Sequence, residues 1–157
     1  MKNIIISGGS GLVGQRITEL LEKKGYEVAW LSRSRQGRKS FLWDVEKQEI
    51  DPQAIEWADA IIHLAGKAHD TKNIANPKDY FDVNTKLTKE LFDLFLESNC
   101  RDFIFFSSVK AVTDKAQDIV TEETITNPKT PYGQSKLQAE LYILNKTLPK
   151  GKRVFII

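Results

Sequence analysis

Ile4-Ile5-Ile6-Ser7-Gly8-Gly9-Ser10-Gly11-Leu12-Val13-Gly14 is the stretch on which the fold of this chain turns. An apolar run ends in glycines, and Leu12, Val13, Ile17, Leu20 and Leu21 then follow at helical spacing, closed by Gly25 as a C-terminal cap. The glycines satisfy G-x-G-x-x-G through Gly9, Gly11 and Gly14, and G-x-x-G-x-x-G through Gly8, Gly11 and Gly14. Either spacing alone is a weak signal. Between a strand and a helix it describes a dinucleotide clamp. Backbone without side chains approaches a pyrophosphate closely, and the helix start aims unpaired N–H groups and its positive dipole end at the anion. Gly8, Gly9, Ser10, Gly11, Leu12, Val13 and Gly14 are therefore the expected cofactor-binding turn.

Outward from this turn, strand-like and helix-like segments alternate. Val28-Ala29-Trp30-Leu31, Phe41-Leu42-Trp43, Ala60-Ile61-Ile62-His63-Leu64, Phe103-Ile104-Phe105-Phe106 and Val154-Phe155-Ile156-Ile157 read as the second to sixth strands. Asp51-Pro52 starts a brief helix, with Asp as N-cap and Pro at the first helical position. Asn76-Pro77 opens a long helix with Tyr80, Val83, Asn84, Leu87, Leu91, Leu94 and Phe95 near one face, and Thr130-Pro131 caps another running to about Lys146. The polar stretch from Lys110 to Lys129 is a long connection of the kind that is usually functional or mobile. The expected fold is α/β: a Rossmann-type, doubly wound parallel sheet of about six strands in the order 3-2-1-4-5-6, helices on both faces, with residues 1–157 forming one domain.

Composition narrows the function classes. The 157 residues, 41% of them hydrophobic, suffice for one core. The net charge of +2 comes from interspersed signs, which predicts neither a nucleic-acid partner nor a membrane partner. The single cysteine, Cys100, excludes an internal disulfide and reads as a buried, inert thiol in a reducing compartment. Met1-Lys2 leads straight into a strand and no apolar stretch is long enough to span a bilayer, so a cytoplasmic location is expected. His63 and His69 have no partner at metal-ligand spacing, so no metal site is expected and His63 reads as a structural imidazole. Trp30, Trp43 and Trp57 read as packing residues, and Lys67 and Lys110 as solvated flanks of the site.

Chemistry enters with Ser107-Ser108 at the end of the fifth strand and with Tyr132-Gly133-Gln134-Ser135-Lys136. Tyr132 and Lys136 are four apart in a predicted helix and share a face, where an ammonium can stabilise a tyrosinate and lower the phenol's pKa. A phenolate so tuned exchanges a proton with a substrate hydroxyl near neutral pH. Ser108, at the carboxyl end of a strand where open parallel sheets place their ligands, can hydrogen-bond the same oxygen.

Together these residues resemble the extended short-chain dehydrogenase/reductase family, the NAD(P)-dependent epimerase/dehydratase group acting on nucleotide sugars. The likeness runs through nearly the whole chain and includes Asp44-Val45, His63-Leu64-Ala65-Gly66, Asn84 and Thr121-Glu122-Glu123. The resemblance implies a bound nicotinamide dinucleotide, with Asp44 and Val45 against the adenine, the backbone of Leu64, Ala65 and Gly66 beside the cofactor, and Asn84 among the cofactor contacts. It implies Tyr132 as acid/base, Lys136 on the nicotinamide ribose, and Ser108 on the substrate oxygen. Where NAD-specific members carry an acid at the end of strand two, this chain has Ser32-Arg33-Ser34-Arg35, so Ser32, Arg33 and Arg35 suit a 2′-phosphate and NADP is expected over NAD. Val112 stands where many epimerases have tyrosine. Family members continue for about as many residues again, into the part that closes over the nucleotide sugar. Two function classes stay open: the cofactor half of a nucleotide-sugar epimerase or dehydratase, and a truncated or chimeric dinucleotide-binding module or scaffold without turnover. A homodimer through the two long helices, with Phe81, Leu87, Phe92, Phe95, Leu137, Leu141 and Leu144, is as compatible with the pattern as packing of those residues inside one subunit.

Overall fold

A computed structural model describes residues 2–34, 37–45, 47, 49–68, 76–115 and 119–157. Strand β1 (Asn3–Ser7) lies at the centre of the sheet because its apolar side chains are buried on both faces. It pairs in parallel with β2 (Glu27–Ser32) on one side and with β5 (Ala60–His63) on the other. Strand β3 (Ser40–Asp44) extends the first side, and β6 (Asp102–Phe105) and β7 (Arg153–Ile156) the second, all in parallel. The two-residue β4 (Glu49–Ile50) closes the outer edge antiparallel to β3, giving seven strands in the order β4-β3-β2-β1-β5-β6-β7. Six parallel strands in the expected order are thus present, and the sequence reading of six is corrected to seven. A two-residue strand has no period to detect; it exists because Ile50 pairs with Trp43, and the Asp51 N–H continues that pairing to the Leu42 carbonyl.

Helix α1 (Leu12–Lys23) covers one face, where Ile4, Ile6, Val28, Trp30, Ala60 and Ile62 are buried. The opposite face carries the larger core, in which Ile5, Leu31, Trp43, Ile61, Phe92, Phe95, Phe103 and Phe105 pack together. Helix α2 (Pro52–Trp57) adds Ala54 and Ile55 to it, capped by Asp51 Oδ1, which accepts from the Gln53 N–H. The long helix expected after Asn76 is interrupted. It runs as α3 (Pro77–Tyr80), a π-helical turn (Phe81–Lys86) and α4 (Leu87–Glu97). Side-chain periodicity cannot reveal one widened turn, and such turns occur often at functional sites. Helix α5 (Pro131–Leu144) is capped by Thr130 Oγ1, which accepts from the Gly133 N–H at 3.2 Å.

Cys100 is buried, and burial pushes its thiol up to about 11, which disfavours the reactive thiolate. Among the described residues no helix is long and apolar enough to cross a membrane.

Candidate active site

The carboxyl ends of β1, β2 and β5 open onto a cleft of about 610 Å³. Its floor is the glycine turn, and three of the four glycines are required there by space. Gly8 has φ of 76°, and a Cβ on it would lie 2.8 Å from the Ala65 nitrogen at the end of β5. A Cβ on Gly9 would lie 2.3 Å from the Trp30 ring, which is held by its Nε1–H to Thr18 Oγ1 at 2.9 Å. A Cβ on Gly14 would lie 2.4 Å from the Gly8 carbonyl oxygen. Gly11 caps α1 without a side chain, so the first N–H groups of the helix are left to an anion at the cleft floor. Glycine backbone, a helix start and an adjoining slot are the features that a dinucleotide pyrophosphate needs, and the residues present fit one.

Gly8, Gly9, Ser10, Gly11, Ser32, Arg33, Val45, Leu64, Ala65 and Gly66, all candidates from the sequence, line this cleft. Leu12 and Val13 are exposed at the first turn of α1, and Gly14 is buried beneath the glycine turn rather than facing the cleft. Asp44 lies at the end of β3, where its Oδ1 accepts from the Lys47 N–H. Ser32 donates to the Ser34 carbonyl at 2.6 Å, which folds the β2 end around exposed Arg33. Arg35 and His69 lie outside the described residues. Ser34 and Lys67, which the sequence places beside the site, also line the cleft, as do Trp43, Val83 and Leu87, whose sequence context carried no phosphate-binding signal.

Asn84 is 1% exposed and lies under the cleft rim. Its Oδ1 accepts from the Lys67 N–H at 2.7 Å, and its Nδ2 donates to the Lys67 carbonyl at 3.0 Å and to Ser135 Oγ at 2.9 Å. The amide therefore shapes the Gly66–Lys67 backbone rather than reaching outward. A polar chain continues from it into the core. Thr88 Oγ1 donates to the Asn84 carbonyl at 2.6 Å, so it must accept from His63 Nε2–H at 2.8 Å. His63 Nδ1 then accepts from Ser7 Oγ at 2.5 Å, and Ser7 Oγ faces the Ala65 N–H at 3.4 Å. Each donor meets one acceptor only if His63 is the neutral Nε2–H tautomer. Burial, with Lys136 nearby, lowers its pKa to about 3. His63 is structural, as its apolar strand suggested.

The second half of the site sits where β6 ends against α5. Lys136 is buried, donates from Nζ to the Phe106 carbonyl at 2.6 Å, and lies 4.0 Å from the Phe105 ring centroid. Burial lowers its pKa to about 8, with Glu140 acting in the opposite direction. Tyr132 lies one turn earlier, edge-on to Tyr80 of α3 at 6.3 Å between ring centroids. Ser108 caps a 3-10 turn (Val109–Ala111), its Oγ accepting from the Lys110 N–H at 3.2 Å. Ser108 thus follows the end of β6, and Tyr132 and Lys136 stand on α5, which packs against that end through the Lys136 bond to Phe106.

Two supporting residues escaped the sequence reading. A Cβ on Gly133 would lie 2.3 Å from the Lys110 carbonyl oxygen, so only glycine lets α5 close on the turn after Ser108. A glycine inside a helical pattern was the available signal. Asp114 accepts from Thr130 Oγ1 at 2.5 Å and from the N–H groups of Lys129 and Thr130, which tethers the long connection to the start of α5 and holds its carboxyl below the usual range. Among the described residues no group of His, Cys, Asp and Glu side chains is arranged for a metal ion.

The sequence profile of the NAD dependent epimerase/dehydratase family matches residues 4–154. The chain is 26% identical over 146 residues to a UDP-glucose 4-epimerase of Halalkalibacterium halodurans, covering 87% of this chain and 44% of that protein. The UDP-Glc/GlcNAc 4-epimerase structure from Campylobacter jejuni superimposes with a TM-score of 0.75 at 28% identity, over 90% of this chain and 47% of that one. A short-chain dehydrogenase/reductase superfamily protein from Agrobacterium tumefaciens, solved with bound NAD, shares the fold with a TM-score of 0.77 at 24% identity, over 98% and 48% of the two chains. The chain spans about half the length of the relatives it matches.

Proposed function

The chain belongs to the NAD dependent epimerase/dehydratase family, and from that premise we propose that residues 1–157 form the cofactor-binding domain of an enzyme that oxidises a nucleotide-sugar hydroxyl. The observations that carry this reading are a glycine cradle at the end of β1 and a buried Lys136, one turn after Tyr132 on α5, bonded to the end of β6. A nicotinamide dinucleotide supplies hydride acceptance and return when bound there. The chain's own residues do the rest. Tyr132, as the phenolate, takes the proton of the sugar hydroxyl and becomes the phenol, Ser108 hydrogen-bonds the same oxygen, and the Lys136 ammonium one helical turn away stabilises the phenolate before the transfer. The relatives named as UDP-glucose 4-epimerases support a uridine-diphosphate sugar as the substrate class.

We propose NADP as the preferred dinucleotide, with NAD as the competing one. The end of β2 presents Ser32, Arg33 and Ser34 to the cleft and no carboxylate, and a guanidinium pairs well with a 2′-phosphate. Titration of the protein with NADPH and NADH is expected to give tighter NADPH binding, weakened by Arg33→Ala; equal or NADH-selective binding would overturn the preference. Tyr132→Phe is expected to leave dinucleotide affinity within about twofold while lowering any turnover about 100-fold or more, the scale of a lost general acid/base. Turnover that survives the change would refute the assignment of Tyr132.

The half-length of the chain favours a second reading of this polypeptide by itself, a dinucleotide-binding module without turnover. Dinucleotide binding with no oxidation of UDP-sugars would select it. The exposed Leu141 and Leu144 on α5 support a homodimer through that helix, which sedimentation would test.

A further inference from the structure

Glu140 has no assigned part in the site described above, yet it touches both of its elements. It lies on α5 one turn beyond Lys136 and accepts a hydrogen bond from Ser107 Oγ. Ser107 immediately precedes Ser108, and the Ser107 N–H is itself anchored on the Ile157 carbonyl at 2.7 Å. The β6 end is therefore pinned to α5 at two successive residues: Phe106 through its carbonyl to Lys136 Nζ, and Ser107 through its hydroxyl to Glu140. We propose that Glu140 is a positioning residue, holding the Ser108 segment in register with Tyr132 and Lys136 and keeping a negative charge beside the buried ammonium. The inference deepens the acid/base reading and takes its functional meaning from it.

The charge balance around Lys136 gives Glu140 this role. The titratable groups that act on the ammonium are His63 from β5 and Glu140 from its own helix; Tyr132, one turn earlier on α5, packs edge-on to Tyr80 of α3. His63 is neutral and buried. Strand β6 offers only the Phe105 ring and the Phe106 carbonyl, and the π-helical turn offers the neutral Asn84 and Thr85 to α5 through Ser135. Burial pulls Lys136 down to about 8, and Glu140 is the group that opposes it. With a midpoint so close to neutrality, a modest further fall would leave much of the lysine uncharged at pH 7, and an uncharged amine cannot stabilise a phenolate.

The test is a pH titration of Lys136 by NMR in protein carrying 13C-lysine, with Lys136→Arg to assign its resonance, in wild type, Glu140→Gln, Ser107→Ala and Ser107→Thr. Glutamine keeps an oxygen for Ser107 Oγ and removes only the charge. Its Lys136 midpoint is expected to fall by roughly half a pH unit or more, as loss of a carboxylate one helical turn away would produce. Ser107→Ala frees the carboxylate and is expected to lower the midpoint by a smaller amount, and Ser107→Thr to restore it. An unchanged midpoint in Glu140→Gln would overturn the proposal. NADPH and NADH titrations on the same wild-type sample keep the two ideas apart: absence of binding would sink the cofactor reading, and the Lys136 midpoints would still decide the role of Glu140.

Discussion

Alanine in place of Gly14 is expected to destabilise this protein by about 3 kcal/mol or more, the upper range for overpacking a rigid site, and to abolish dinucleotide binding. The added Cβ would lie 2.4 Å from the Gly8 carbonyl oxygen, 2.6 Å from Gly9 Cα and 2.8 Å from the Gly9 carbonyl carbon. All three are backbone atoms, so no side-chain rotation relieves the clash. The start of α1 must move away from the turn, stretching the Gly11 N–H to Gly8 carbonyl bond of 3.1 Å and disturbing Thr18, which holds the Trp30 ring over Gly9. Against a total stability of order 5–15 kcal/mol, such a loss is readily seen in urea unfolding. Gly37 is the control: it is exposed, has ordinary φ and has nothing within 4 Å of an added Cβ, so Gly37→Ala should leave both stability and binding unchanged. A Gly14→Ala protein with wild-type stability would contradict the packing described for the glycine turn.

Acid is expected to unfold the protein through His63. Its pKa falls from 6.5 to about 3 in the fold. Between those values the unfolded chain binds a proton that the native state refuses, so stability is fully present above pH 6.5 and is lost as pH falls toward 3. The slope approaches 1.4 kcal/mol per pH unit, for a cumulative loss of about 4 kcal/mol. The cause is burial in a network with no room for a second N–H: a protonated Nδ1 would point a donor at the Ser7 hydroxyl that now donates to it. Other shifted groups act differently: burial raises the Glu90 carboxyl, which therefore adds stability as pH falls rather than losing it. Asp102 is held below the usual carboxylate range by Arg153, so its contribution is lost only at lower pH, and Lys136 changes its proton balance only near and above pH 8. His63→Gln should be less stable at pH 7, since one of the two ring contacts is lost, but its stability should be nearly flat between pH 6.5 and 5. Equal slopes for wild type and variant in that interval would exclude His63 as the titrating group.

Local chemistry is legible in sequence where a residue's role depends on its near neighbours. Ile4 to Ile6 followed by glycines could only be a buried strand running into a helix start, and the alternation after it could only be a doubly wound sheet, because apolar period and breaker residues report on the backbone directly. Tyr132 and Lys136 shared a face by helical geometry alone. The order of the six parallel strands came with the fold type. The resemblance singled out Asn84 but not its manner of acting, because the spacing around it does not say that its amide is spent on Lys67 and Ser135.

What tertiary structure alone decided lies in contacts between distant segments. The two-residue β4 exists only as a partner of β3, and the π-helical turn that buries Asn84 and Thr85 leaves the apolar pattern of its helix almost intact. Gly133 is required by the Lys110 carbonyl, 23 positions away by number, and Asp114 and Glu140 act on residues 16 and 33 positions distant. The sequence by itself determined the strand–turn–helix cradle and the catalytic-type side chains, since periodicity and glycine chemistry are properties of a local chain. The packing of α5 against the end of β6 decided that Lys136 is buried and that its proton affinity falls, because burial and proton affinity depend on what surrounds a group in space.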